Sequence, residues 1–477
     1  MFLRTFLRCS SESGRHVIAQ TGQQRNFFFF LVLLLIAAGG IRYFQALYSP
    51  MIDSDQSIWI LIARDPHFPH ALYFYGQNRL GSLLPLLAHL LVLTGIPALY
   101  AMTSVNVLIQ CTTAFLIARL SGSRSTGWIM GALLLFPPWT LYTLGMIGHP
   151  YTTQLFLWTC ILWLMRPGKE WSVRKGLLLV TLCLLSVWTS ELSLLFLPLI
   201  AAALWFGERL RDVKIWLWSS GAMLLGMSGL FLIKMKLPGS GSSFLSFADA
   251  AEMRTNLDGC INVFRYYWNM GTLGPWAMGL LLLLTGLGWI IGKKTAISRL
   301  TLSFGLMALL FTIWSKWVFL NDSGIRYWAL PLVLILLATL LNKGRLVRLL
   351  RLLWLSALLW AGWHSTHYAV EGFRFTPDRP SRAEITEIAE KIDGHVLADY
   401  WSLHLLQVFD PKLKVSHPEP RAVRDLWNWE EVVQADSIWC VNLPCHERWV
   451  VRSDTLIPAA VKEIQMGQSH ARLYYRP

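Results

Sequence analysis

The feature that most constrains this chain is a succession of apolar runs, each close to the twenty residues that a helix needs to cross a bilayer. They lie at roughly 26–46, 98–117, 128–146, 151–165, 215–233, 275–291, 300–319, 327–341 and 352–370. The stretch 176–206 is longer, and Thr189, Ser190 and Glu191 interrupt it, so it reads as two short spans joined by a tight turn. The segment 81–94 is short and contains Pro85 and His89. A chain of 477 residues that is 54% hydrophobic and only 15% charged is not a soluble globular protein, because soluble domains carry about a quarter charged residues. Its 24 Trp, 24 Phe and 14 Tyr suit aromatic belts at the two membrane surfaces.

Basic residues sit mainly in short loops between these runs, at Arg119/Arg124, Arg166 to Lys175, Arg209 to Lys214, Lys293 to Arg299 and Lys343 to Arg351. Cytoplasmic loops carry such an excess, so the net charge of +14 reflects topology and argues against nucleic acid as a partner. Assigning these loops to the cytoplasm leaves the loop after the first run outside. Only one of 81–94 and 98–117 can then cross fully, and 81–94 reads as a juxtamembrane or re-entrant helix. The expected count is about eleven spans, with residues 1–25 as a cytoplasmic tail and the C-terminus outside. That tail carries four Arg and a single acid, Glu12; a cleaved signal peptide has a shorter charged region and a small-residue cleavage site.

In this topology, the polar groups that lack a topological reason gather on the outer side. They are the loop 47–82, Gly148-His149-Pro150, Glu191, the loop from Lys234 to Gly274, and Asn321 to Arg326. The stretch 51–82 concentrates Asp53, Asp55, Arg64, Asp65, His67, Gln77 and Arg79 among aromatic residues. Ionisable groups held at a membrane boundary cost desolvation energy and are functional candidates. Asp53 followed three residues later by Gln56 forms a capping-box pattern, so a helix of about ten residues should start there and end at Pro66. Too short to span, it is expected to lie in the interface with Trp59 at headgroup depth. Asp55 falls in its first turn, where the helix dipole favours a carboxylate.

The string Asp55-Gln56-x-x-Trp59-x-x-x-Ala63-Arg64 resembles the first outer loop of the multispanning C-type glycosyltransferases, which include protein mannosyltransferases and the aminoarabinose transferases of lipid A. Phe74-Tyr75-Gly76-Gln77-Asn78-x-x-Gly81-Ser82 resembles a version found in bacterial members. The match covers about thirty residues. The second acid of the family's pair is absent, because Gln56 occupies its position. The resemblance implies an all-α integral membrane fold, a sugar donor carried on polyprenyl phosphate, no cofactor and no metal. Asp55 would be the catalytic base, with Asp53 assisting or merely capping the helix. Arg326-Tyr327, opening a span with Pro331, resembles an Arg-Tyr of the family. Arg326 would bind phosphate; alone, it would read as a snorkelling interfacial residue. Arg79, Gln77, Tyr75, Arg64 and Lys316 join the substrate-binding set, with His149 as an outer-turn member and Arg265 to Trp268 as weaker candidates of the same kind.

Isolated histidines such as His149 and His89 do not make a metal site. Asp53-Ser54-Asp55 has the form of a nucleotide-sugar metal motif, but the relatives it resembles need no such metal. Glu191 reads either as a turn residue or as part of the site. Cys440 and Cys445 can form a disulfide if their region is extracytoplasmic. From 372 to 477 the composition turns polar, with a helix at Arg382 to Ile392 and strands at Gly394 to Tyr400, Lys412 to Val415 and Ser437 to Val441. These 106 residues suffice for a small α/β domain on the outer side. The Ala398-Asp399-Tyr400-Trp401 stretch at its first strand resembles one in a similar outer domain of some bacterial members of that family. Taken by itself it reads as a strand end without substrate contact. The chain is thus expected to be a multi-pass glycosyltransferase of a bacterial inner membrane, acting on an envelope lipid, glycan or protein. The alternatives are a transporter or flippase of lipid-linked or polar substrates, and a non-catalytic partner whose outer domain does the work.

Overall fold

The computed structural model describes residues 27–45, 47, 52, 54–74, 80–166, 172–206, 213–237, 246–269, 273–321, 324, 326–371, 381–418, 428–443, 449–451, 454–466 and 469–475. The tail 1–25, Asp53, Tyr75, Gln77, Arg79 and Cys445 lie outside them, as do the side chains of Arg265 to Trp268.

The helical part runs α1 (Phe27–Phe44), α2 (Ser54–Arg64), α3 (Leu83–Val92), α4 (Ala98–Ser121), α5 (Arg124–Leu135), α6 (Tyr151–Met165), α7 (Val173–Thr189), α8 (Phe196–Phe206), α9 (Val213–Lys236), α10 (Ala250–Asn269), α11 (Leu273–Ile291), α12 (Ala296–Trp314), α13 (Lys316–Leu320), α14 (Arg326–Leu340) and α15 (Arg345–Glu371). Among the described residues, five stretches are long and apolar enough to cross a membrane: α1, α4, Leu217–Lys236 of α9, α12 and Arg345–Thr366 of α15. Shorter apolar helices, among them α3, α6 and α14, complete the bundle. The 176–206 run divides as expected, into α7 and α8 with a 3-10 turn at Glu191–Leu195 between them. Leu217, Leu224, Leu225 and Phe231 of α9 are each more than 60% exposed, as a lipid-facing surface requires.

The two ends of the bundle differ. At one, Lys293 and Lys343 pair through their backbones, and Arg351 donates to the carbonyls of Leu340 and Asn342 at 3.0 and 3.1 Å. A capping box at Thr295 and Ser298 starts α12 there. Since α12 ends at Trp314 and α14 begins at Arg326, the segment between them lies at the opposite end.

That opposite end carries a small α/β unit: α16 (Arg382–Ala389), β1 (His395–Ala398), α17 (Tyr400–Phe409), β2 (Lys414–Ser416), α18 (Trp429–Gln434), β3 (Ser437–Val441), β4 (Trp449–Val451), β5 (Asp454–Met466) and β6 (Ser469–Tyr475). The strands form one sheet in the order β2-β1-β3-β6-β5-β4, parallel from β2 to β3 and antiparallel beyond. A capping box of Ser381 and Glu384 begins α16.

The α/β unit is continuous with the membrane bundle. One buried cluster joins Ile58, Trp59 and Ile62 of α2, Leu84 and Ala88 of α3, and Ala101 and Met102 of α4 to Ile385, Val396 and Leu405 beyond. This overturns the interfacial position expected for α2. Ile58, Trp59, Ile60, Ile62 and Ala63 are all at most 2% exposed, because α17 covers the side that would otherwise meet headgroups. At ten residues α3 is about 15 Å long, too short to span, and it packs on α2 and α4.

Candidate active site

Asp55 stands in the first turn of α2, at the positive end of its dipole. The start of that helix is seated against the turn before α6. Gly148 has φ +94° there, and a Cβ on it would lie 3.0 Å from the Gln56 nitrogen and 3.1 Å from the Asp55 carbonyl carbon. Only a glycine takes that backbone shape at that distance without strain. The turn is itself anchored from below. The Gly145 carbonyl accepts from the side-chain amides of Gln45, Asn106 and Gln110 at 2.9, 3.0 and 3.1 Å, all three fully buried.

The loop after α2 is closed at its base. Tyr73 and Gly81 form a bridge, the Gly81 N–H donates to the Thr189 carbonyl, and Trp188 Nε1 donates to the Leu72 carbonyl at 2.9 Å. A Cβ at Gly81 would meet the Trp188 carbonyl oxygen at 2.2 Å, so α7 and this loop touch only because the residue is glycine.

These elements enclose a cavity of about 590 Å³. Asp55, His149, Tyr151, Arg326, Tyr327 and Tyr400 are on its wall, with Phe74 and Leu80 from the two ends of the loop. Arg326 Nη1 lies 3.5 Å from Asp55 Oδ2. Arg326 Nη2 donates to Asn321 Oδ1 at 3.2 Å and to Tyr327 Oη at 3.0 Å, and Tyr327 Oη also accepts from Trp317 Nε1 at 3.1 Å. His149, in the turn ahead of α6, stacks on Tyr151 with ring centroids 5.8 Å apart. Burial first, and the Arg326 charge second, push its pKa down to about 4 against the pull of Asp55. The imidazole is therefore neutral at pH 7.

The structure thus brings Asp55, His149, Arg326 and Tyr327 to one cavity. Other residues that the sequence nominated stand elsewhere. Arg64 does not line the cavity; its Nη1 donates to the Gln407 carbonyl at 2.7 Å, because α17 ends beside the last turn of α2. Lys316 is not among the residues on the cavity wall and pairs with Glu252 at 3.3 Å. Glu191 opens the 3-10 turn between α7 and α8 and pairs with Lys234. Cys440 is buried in β3. Among the described residues, no three His, Cys, Asp or Glu converge as a metal site.

The stretch from Ala398 to Trp401 reaches the cavity. Asp399 follows β1 and caps α17 by accepting from the Ser402 N–H at 3.1 Å. That cap sets Tyr400 and Trp401 on the cavity wall, where Tyr400 Oη donates to Asp55 Oδ1 at 3.1 Å. Tyr142, Tyr151 and Trp317, also on the wall, carry no local signal that separates them from the many aromatic residues of a membrane chain.

The chain superposes on the crystal structure of ArnT from Cupriavidus metallidurans in the apo state, with a TM-score of 0.54 and 11% sequence identity, over 95% of this chain and 98% of that one. The two share a fold, a bundle of apolar membrane helices with a small sheet unit at one end. No protein-family model matches the sequence, and no curated protein matches it.

Proposed function

We propose that this protein is a membrane glycosyltransferase that moves a sugar from a polyprenyl-phosphate carrier to an envelope acceptor, on the extracytoplasmic side of a bacterial inner membrane. The observation that carries the reading is the Asp55–Arg326 pair, a carboxylate and a guanidinium together on the wall of a cavity large enough for a glycosyl phosphate. The first-loop resemblance supplies the reaction class. The fold agrees with it, since ArnT is an aminoarabinose transferase.

The chemistry follows from the two charges. Asp55 takes the proton of the acceptor nucleophile as its oxygen or nitrogen bonds to the anomeric carbon. The bond from that carbon to the carrier phosphate breaks, and the leaving phosphate takes the electron pair. A positioned base contributes roughly 10²–10⁴-fold. Arg326 neutralises the charge on the departing phosphate, for which its planar fork suits it better than an ammonium would. In the resting arrangement Arg326 holds Asp55, so donor binding is an exchange of partners. The phosphate takes the guanidinium, and the freed Asp55 Oδ2 faces the acceptor. Neutral His149 adds a hydrogen-bonding group for sugar hydroxyls without a second cation beside Arg326. A transporter or flippase would gather its polar groups near the membrane midplane on broken helices. Here the charged groups sit where α2 and α14 begin, which favours transfer.

The test is Asp55→Asn in a deletion strain, with envelope glycans compared by mass spectrometry. The variant should insert and fold as the wild type does while the transferred sugar disappears. Wild-type levels of the sugar in that strain would end the proposal.

A further inference from the structure

Resting on that reading of Asp55 as the base, we infer that Tyr400 of the outer α/β unit is a positioning residue for the reaction, fixing the catalytic carboxylate through its phenol. The two oxygens of Asp55 are differently engaged. Oδ1 accepts from Tyr400 Oη at 3.1 Å, while Oδ2 faces Arg326 at 3.5 Å, beyond hydrogen-bond length for a charged pair. The phenol bond fixes the carboxylate's rotation, which leaves Oδ2 as the oxygen that changes partners when phosphate arrives. A carboxylate on the first turn of a helix otherwise turns freely about its side-chain bonds, and a base works only within hydrogen-bond reach of the proton it takes.

Tyr400 is itself held from three directions. The Asp399 cap starts α17 at this residue. The Asp399 N–H donates to the Val441 carbonyl of β3, tying the cap to the sheet. Its ring meets Trp401 edge-on at 5.1 Å between centroids. The helices α2 and α17 also run parallel and are clasped at both ends, by Asp55 with Tyr400 at their N-termini and by Arg64 with the Gln407 carbonyl at their C-termini. One end of this clasp is structural and lies off the cavity. The other opens into it. The outer unit is therefore a wall of the active site, and the site is incomplete without it.

Tyr400→Phe keeps the ring beside Trp401 and removes only the hydroxyl. Full-length protein in nanodiscs would be assayed with the lipid-linked sugar fraction that accumulates in membranes of the deletion strain. We expect kcat to fall about tenfold to a hundredfold, the worth of one hydrogen bond to a charged group, with KM for that donor fraction within about twofold of wild type. A Tyr400→Phe protein with unchanged kcat would overturn the inference. So would a large rise in KM accompanied by a fall in melting temperature, which marks a docking role alone. A thermal double-mutant cycle with Asp55→Ala, which removes the acceptor oxygen, needs no turnover. The two losses of Tm should be less than additive, and strict additivity would overturn the contact. Wild-type protein that transfers nothing from this fraction would remove the glycosyltransferase reading, while the cycle still decides whether Tyr400 holds Asp55.

Discussion

Arg326 Nη1 faces Asp55 Oδ2 at 3.5 Å, and both residues lie in the first turn of a helix. For Asp55 that location is favourable, because the amino end of a helix is positive. For Arg326 it is not: a guanidinium at a helix N-terminus is opposed by the dipole, by typically 0.3–1 kcal/mol. Asn321, Tyr327 and Asp55 offset this by surrounding the cation with oxygen. A cation held against its helix dipole, on the wall of a cavity, serves the cavity rather than the helix.

Arg326→Lys tests this directly. The ammonium keeps the charge but loses the fork that spans Asn321, Tyr327 and a phosphate at once. We expect donor KM to rise about tenfold and kcat to fall, the cost of losing a charge-assisted bond of roughly 1.5–3 kcal/mol, while protein yield and melting temperature stay near wild type. Steady-state kinetics with the accumulated lipid-linked sugar fraction measure it, and a wild-type KM would remove Arg326 from donor binding.

His149 gives a prediction about acid. Its pKa is about 4 in the folded protein against an ordinary value near 6.5. Between those two values the unfolded chain binds a proton that the folded chain refuses, so stability falls as pH is lowered through this window. The neutral histidine costs nothing above pH 6.5. Below it, each pH unit removes at most ~1.4 kcal/mol until the folded group also protonates. His149→Gln abolishes that proton uptake. The variant should lose less melting temperature than wild type between pH 7 and pH 5, and an equal loss would show that another group sets the acid sensitivity.

How much of this could be read in advance follows from where each signal resides. Asp55 stands out in one dimension by its loop motif, and Arg326 only through the resemblance of Arg326-Tyr327, because a lone basic residue beside an apolar run reads as a snorkelling one. The short helix α2 is legible by its own spacing, but not its surroundings. The spacing of Ile58, Trp59, Leu61 and Ile62 predicts burial of one face, while Ile60 on the opposite side is buried as well, and only the folded α/β unit supplies that cover. Tyr400 meets Asp55 from 345 residues away, and no local pattern announces a partner at that separation. The β5–β6 hairpin was likewise hidden, because Pro458 and the register shift after it interrupt the alternation by which strands are recognised. Arg64 and Lys316 carry the charge that a phosphate site needs, yet a carbonyl and a carboxylate of the fold claim them.

Gly148→Ala should damage the site without touching a polar group. The residue sits at φ +94°, where an L side chain is strained, and its Cβ would press on the Gln56 nitrogen at 3.0 Å. Backbone strain of this kind costs of order 1–3 kcal/mol. Relief requires the start of α2 to move, and Asp55 moves with it. We expect a melting temperature several degrees lower and transfer reduced more than tenfold, since displacement of a reacting group by about 1 Å costs as much as 10²-fold. Full activity at an unchanged Tm would mean that the turn and the helix are not coupled.

The amide cluster beneath that turn separates fold from site. Gly145 offers one carbonyl oxygen with two lone pairs, and three buried amides converge on it. Asn106 contributes a second bond, to Gln45 Oε1 at 2.8 Å, while its own Oδ1 is buried without a hydrogen-bond partner. Asn106→Leu therefore removes two donors and one unsatisfied acceptor together. The lost bonds are worth about 1 kcal/mol each, and removing the orphan acceptor recovers ~1–3 kcal/mol of desolvation penalty. Gln45 Oε1, stripped of Asn106, becomes a buried orphan of similar cost, so the melting temperature should fall by a few degrees. The Gly145 carbonyl keeps Gln45 and Gln110, but Gln45 Oε1 loses Asn106, the partner that fixes its rotamer, and the turn that seats Gly148 against Asp55 loosens. Transfer should fall severalfold, more than that loss of stability accounts for at a temperature where the variant is folded, and it should fall further in Asn106→Leu/Gln110→Leu, which leaves one donor on the carbonyl. If activity instead tracks melting temperature across the two variants, the cluster serves packing of the bundle and has no separate hold on the carboxylate.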